Sequence, residues 1–255
     1  YFVDVYSTID QPAVMTIRKT DGTLVKQIVK ADASALYAMG WQPPERIIVK
    51  AADNKTDLYG ALFKPLNMDP SKKYAVIDHM YPGPQGSFGP QSFMDSISTF
   101  TISRGMQNLA ELGFVGLVLD GRGTSQRDHG FRYAFAGTED IYGAADHVAA
   151  IKNLAKQYSF MDVERIGVMG LSFGGSASAR AILLYPDFFD VCVSYVGSHD
   201  QRQVSMPNYV ERFFGIPDAA KVEGNYYDLI SNTRLAHRLK GNLLLIVGEL
   251  DENIP

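Results

Sequence analysis

Cysteine is nearly absent: Cys192 is the only one in 255 residues. That excludes an internal disulfide framework and a cysteine-based metal cluster. The residue lies in the apolar run FDVCVSYVG, and a free cysteine in such a run is expected to be a buried core thiol. No stretch reaches the roughly 18 consecutive apolar residues of a membrane span, and no signal-peptide pattern is visible. Charge of one sign is lacking too, with 24 basic against 28 acidic residues and a net charge of −4. Nucleic acid and an anionic membrane surface are therefore not expected as partners. The five histidines, at 79, 129, 147, 199 and 237, show no metal-ligand spacing, so neither a metal nor another cofactor is expected. The partner left is a small molecule or a peptide.

Two glycine-rich stretches also lack what a nucleotide site needs. DGRGTS follows a strand, but Gly121-x-Gly123 has no third glycine at the required spacing, and GPQGSFG has no phosphate-loop lysine.

What is present is enough apolar sequence, 46% of the chain, for one substantial core. Residues 1 to about 40 read as short β segments, YFVDVYS, AVMTIRKT and LVKQIV, with an Asp-Gly turn in TDGT. RIIVKAA and LYGALFKP read as paired strands. Strand and helix signals then alternate: KYAVIDHMY, a helix-like stretch near 91–112, FVGLVLDG, a helix over 138–158, RIGVMGL, a helix from 173, FDVCVSYVG, a helical segment near 228–239, and NLLLIVG. Continuous aliphatic strands separated by helices indicate a mostly parallel sheet covered on both faces. In the 138–158 helix, Ile141, Ala145, Val148, Ile151, Ala155 and Tyr158 recur at helical spacing, with Thr138 as the expected cap and Glu139 and Asp140 at the positive end.

The stretch VMGLSFGGSASA puts Gly170-Leu171-Ser172-Phe173-Gly174 between a strand and a helix. A serine there sits on a strained turn with its hydroxyl above the sheet edge, a nucleophile's position. The N–H of Phe173 at the helix start is then a donor to a developing oxyanion. Tyr81 follows KYAVIDHM, and because Pro82 has no N–H to offer, a side-chain donor at this strand end is a reasonable second one.

Five motifs in order, MYPGPQ, DGRGT, GLSFGG, YVERFFG and GELDEN, make residues 45–255 resemble the prolyl oligopeptidase group of serine peptidases, and within it the dipeptidyl peptidase IV branch. The resemblance implies an α/β-hydrolase domain over 45–255 that lacks its C-terminal part, with residues 1–44 as the end of an N-terminal β-propeller-like domain. It implies hydrolysis of short peptides through an acyl-enzyme on Ser172, with Asp251 as the acid, Tyr81 and Phe173 around the oxyanion, and Asn253 and Tyr209 at the substrate. Ser205 and Arg202 fall where that branch has pocket aromatics, and Phe173 where it has a tyrosine, a departure that bears on proline specificity. Asp120 and Arg122 are implied to hold the scaffold, and His79 is read as structural. An esterase or acylaminoacyl hydrolase on the same triad, and a non-catalytic interaction module, are the alternatives.

In α/β-hydrolases the triad runs serine, acid, histidine along the chain, and all five histidines precede Asp251. The expectation is a histidine beyond residue 255, little turnover from this chain alone, and an exposed sheet edge that favours aggregation or a homodimer. His199, at the sheet edge that carries Ser172, is the one substitute worth naming. Compartment is left open, a periplasmic or extracellular parent being one possibility.

Overall fold

The computed structural model describes residues 1–97, 105–205, 207–216 and 226–254, without the side chains of 97 and 207–209. Three strands come first, β1 (Phe2–Thr8), β2 (Gln11–Arg18) and β3 (Leu24–Lys30), forming a separate antiparallel sheet in that order. The β2–β3 turn is made as Asp-Gly predicts: Gly22 has φ +88° and Asp21 Oδ1 accepts the Thr23 N–H at 2.9 Å. A short helix α1 (Ser34–Ala38) leads to the second sheet. Trp41, at 3% exposure, joins the two parts by packing edge-on to Phe93, and the Ser7 hydroxyl of β1 accepts the Phe93 N–H at 2.9 Å.

The second sheet has strands β4 (Glu45–Lys50), β5 (Asp57–Phe63), β6 (Tyr74–His79), β7 (Val115–Asp120), β8 (Met161–Leu171), β9 (Val191–Tyr195) and β10 (Asn242–Ile246). Their order is β10-β9-β8-β6-β7-β5-β4, parallel from β10 through β7 and antiparallel at β5 and β4. The helices are α2 (Phe93–Ile97), α3 (Met106–Glu111), α4 (His129–Arg132), α5 (Ala144–Gln157), α6 (Phe173–Leu184), α7 (Pro207–Phe214) and α8 (Tyr226–Ile230). Single 3₁₀ turns cover Gln201–Gln203 and Thr233–Arg238. This is the expected α/β-hydrolase fold preceded by a short β segment. Parallel strands covered on both faces read as near-continuous apolar runs, and β7 shows it: Val115, Leu117, Val118 and Leu119 are all at or below 4% exposure. Cys192 is fully buried in β9, and burial pushes its thiol up to about 12. Among the described residues no helix is long and apolar enough to cross a membrane.

Three helix expectations need correction. The 138–158 helix begins only at Ala144, because Gly143 takes the left-handed region at φ +69°. Thr138 does not cap it. Its hydroxyl donates to Phe135 O, and the Asp140 carboxylate, four residues upstream of the helix, accepts the N–H groups of Ala144 and Ala145 at 2.8 Å each. The 91–112 stretch holds two short helices, α2 and α3, with residues 98–104 outside the described set. The 228–239 segment breaks between α8 and a 3₁₀ turn, where Asn232 spends its N–H on His199 O at 2.8 Å instead of on the helix.

Candidate active site

The parallel strands β6, β8, β9 and β10 all end on one edge of the sheet, so the residues that follow them gather there. After β6 comes Tyr81, after β8 Ser172, and after β10, with four residues between, Asp251. Ser172 and Asp251 follow strands two positions apart in the sheet, with β9 between them.

Ser172 has φ 56° and ψ −120°, a conformation L-residues rarely adopt. Its backbone is pinned from both sides. The Ser172 N–H donates to Tyr195 O at 2.8 Å, and the Ser176 N–H donates to Ser172 O at 3.1 Å. The flanking glycines are required by contact: a Cβ on Gly170 would lie 2.5 Å from Met80 O, and one on Gly174 would lie 2.2 Å from it. With no side chain in the way, the end of β6 presses against the start of α6. The Tyr81 ring follows, its Cδ2 coming within 3.1 Å of where that Gly174 Cβ would be and its centroid 4.4 Å from that of Phe88.

The loop after Tyr81 is held from below. Asp120 at the end of β7 accepts from the Ser87 hydroxyl (2.9 Å), Phe88 N–H (2.6 Å) and Gly89 N–H (3.0 Å). Arg122 points the other way and forms ion pairs with Asp146 at 2.8 Å and Asp53 at 2.9 Å, clamping the β4–β5 turn to α5. Both residues thus make the scaffold contacts expected of the DGRGT loop.

Asp251 lies in a tight turn. Its Oδ1 accepts the N–H groups of Asn253 (2.9 Å) and Ile254 (3.0 Å). The Ser205 hydroxyl donates to the carbonyls of Glu252 and Asn253, so Ser205 fastens the acid's turn to the segment before α7. Arg202 is engaged with carboxylates, Asp200 at 2.6 Å and Asp228 at 2.9 Å. Tyr209 belongs to α7, but its side chain lies outside the described residues.

The Phe173 ring packs edge-on against Tyr142 (5.1 Å between centroids) and stacks on Phe214 (6.1 Å, 18°). Tyr142 is 2% exposed and accepts the Gln201 side-chain amide at 2.9 Å. Neither Tyr142 nor Phe214 was singled out from the sequence. Tyr142 sits in what looked like a helical stripe, and Phe214 was hidden in the YVERFFG motif. Arg180 was missed as well. Its side chain is fully buried and donates to the carbonyls of Glu139, Ser231 and Leu229, which ties α6 to the segment carrying Asn232.

Three of the histidines have partners of their own. His147 of α5 is bonded through Nδ1 to the Asp78 carboxylate of β6 at 2.9 and 3.0 Å, with both side chains at or below 2% exposure. Burial alone would push this imidazole down, but the charge and hydrogen bonds of Asp78 outweigh it and the net shift is upward. His199 Nδ1 meets the Asn232 amide at 3.2 Å, and burial pushes its imidazole down. His79 is 1% exposed within β6, and His129 stacks on Tyr133 at 4.5 Å.

A serine elbow, an aromatic at the neighbouring strand end and an acid two strands away thus stand on one edge of the sheet. The prolyl oligopeptidase family model matches residues 100–255. Dipeptidyl peptidase 8 of Mus musculus is 30% identical over 263 residues, covering all of this chain and 28% of that protein. A solved Bacteroides ovatus structure described as a dipeptidyl aminopeptidase IV is 33% identical at TM-score 0.81, over 95% of this chain and 33% of the other. Dipeptidyl peptidase 4 of Porphyromonas gingivalis is 26% identical at TM-score 0.81, over 99% and 34%. The chain therefore spans about a third of the length of the relatives it matches. On sequence, fold and the order of its motifs, the chain belongs to the prolyl oligopeptidase family, on its dipeptidyl peptidase IV branch.

Proposed function

We propose that this chain is the catalytic part of a serine peptidase that acts on short peptides, with residues 1–44 the end of a β-propeller-like domain and 45–255 the hydrolase domain. The observation that carries the reading is the strained Ser172 elbow, held against Met80 by the absence of side chains at Gly170 and Gly174. Strain of this kind persists only where the surroundings over-determine it, and it serves to lift a nucleophile clear of the sheet.

In this reading Ser172 Oγ attacks the scissile carbonyl carbon and its proton passes to an imidazole. The carbonyl oxygen, now negative, is received by the Phe173 N–H and the Tyr81 phenol. Collapse of the tetrahedral species returns the proton to the leaving amine and leaves the acyl group on Ser172, which water then hydrolyses. Asp251 orients the imidazole. Its Oδ1 is occupied by two backbone N–H groups, so Oδ2 is the atom assigned to the imidazole. His147 is committed to Asp78 and His199 to Asn232, so neither is assigned as that base. Asn253 and Tyr209 are assigned to the substrate. Arg202 and Ser205 are assigned to the rim of its pocket, holding the loop in shape through the bonds described above.

A fluorophosphonate probe on the full-length protein tests the assignment. Labelling that maps to Ser172 and disappears in Ser172→Ala is the expected result. A full-length protein that hydrolyses peptide amides without labelling at Ser172 would sink it. Comparison of a proline-containing dipeptide amide with simple acyl esters separates the peptidase from an esterase.

A further inference from the structure

A cavity of about 450 Å³ opens between the β4–β5 pair and the loops at 87–91 and 124–127, and it shares no lining residue with the Ser172 elbow. Arg46 and Arg127 both line it. The Arg127 guanidinium is fixed in place, 4.2 Å from the centre of the Phe131 ring and 5.4 Å from that of Tyr59, with Nη1 donating to Asp57 O at 2.7 Å. Among the described residues it forms no ion pair with a carboxylate, and the same holds for Arg46. A guanidinium whose plane is set by rings and whose Nη1 is tied down keeps the Nε/Nη2 edge for a two-pronged acceptor.

The acids nearby are largely spoken for. Asp120, which lines the cavity, accepts three hydrogen bonds from Ser87, Phe88 and Gly89. Asp57 pairs with Lys50 at 2.6 Å. Asp10, whose carboxyl is held low mainly by the Thr8 hydroxyl and its own N–H, feels the charge of Arg46 only as a lesser effect. Beside the two cations, the strand pair presents apolar surface: Tyr59 is 50% and Ile48 63% exposed. Cations, a planar fork and an exposed apolar wall in a space of small-molecule size make a site for an acid group carried next to an apolar one.

We propose that this cavity binds the C-terminal carboxylate of a short peptide ending in an apolar residue, with Arg127 as the bidentate donor, Arg46 as the second cation, and Tyr59 and Ile48 against the terminal side chain. The choice of a peptide rests on the peptidase reading above, whereas capture of a carboxylate does not. The test is calorimetric titration of the Ser172→Ala chain with N-acetyl-Gly-Leu as the free acid, the same compound as its C-terminal amide, and inorganic phosphate. The free acid is expected to bind at least about tenfold tighter than the amide, as loss of one charge-assisted bidentate pair predicts. Arg127→Ala should abolish the difference, Arg127→Lys should keep only part of it, and Arg46→Ala, a substitution on an exposed position, should weaken the acid several-fold. Equal binding of acid and amide, or full affinity in folded Arg127→Lys and Arg46→Ala, overturns the proposal. Phosphate displacing the peptide at equal concentration overturns the peptide assignment in favour of a plain anion site. Failure of fluorophosphonate labelling at Ser172 would remove the peptidase reading and leave the titration result standing.

Discussion

At the scale of single residues, the site depends on atoms that are missing. Gly174 allows α6 to start directly against Met80 O, which a Cβ would approach to 2.2 Å. That neighbour is backbone, so a methyl group there cannot be accommodated by turning a side chain. Gly174→Ala should therefore destabilise the fold by about 1–3 kcal/mol, as overpacking of a tight contact does, and should displace Tyr81 from the helix start. A urea melt of the variant gives the first quantity, and probe labelling of Ser172 in the full-length protein should fall well beyond what the lost folded fraction explains. Normal labelling with an unchanged melt would mean that the elbow is not built on this contact. The Gly-x-Ser-x-Gly pattern made both glycines legible in the sequence. Their partner, the Met80 carbonyl ninety residues earlier, was not, since only the parallel pairing of β6 with β8 brings it there.

At the scale of elements, α5 holds the middle of the fold together with two adjacent acid–base contacts. Asp146 takes Arg122 and the Ala52 N–H, and His147 takes Asp78 across the core. The periodicity of α5 was readable, but not its start: the Thr138-Glu139-Asp140 signature resembles a cap, whereas Asp140 reaches the helix N–H groups from outside it. Likewise nothing near Asn232 in the sequence signals that its amide bonds Ser176 O and its N–H bonds His199 O, since both partners come from distant elements. The His147–Asp78 pair makes a pH prediction. The folded imidazole is raised, with Asp78 outweighing burial and with Asp146 and Asp140 adding to it. Its contribution to stability is thus fully present below the unfolded value, about 6.5, and is lost as pH rises through the higher folded value. His147→Ala should cost about 3–5 kcal/mol near pH 6, the range for breaking a buried pair, and distinctly less at alkaline pH. Denaturant melts of both proteins at the two pH values measure this, and a pH-independent gap would show that the imidazole is neutral throughout.

At the scale of the whole molecule, the apolar surface is unevenly distributed. The apolar residues of β7 are buried, but β10 leaves Leu244 (54%), Leu245 (50%) and Ile246 (37%) exposed. Among the described residues β10 hydrogen-bonds only to β9, so its outer edge presents unpaired backbone groups beside apolar side chains, the combination that recruits another strand. The fold class and the strand sequence were readable from the alternation of apolar runs and helices. The crossing of β6 and β7 in the sheet order was not, because periodicity reports which residues are buried and not which strand lies beside which. The expected exposed edge therefore has to be judged from the sheet itself, and it leads to a direct expectation: the purified 255-residue chain should self-associate. Its weight-average mass by light scattering should rise from low to high micromolar concentration. Leu244→Lys should suppress that rise while leaving the melt within about 0.5 kcal/mol, since Leu244 lies on the surface and a lysine on an edge strand opposes pairing. A chain that stays monomeric across the range, or a lysine variant that associates as strongly as the parent sequence, would mean that β10 is not the surface through which copies meet.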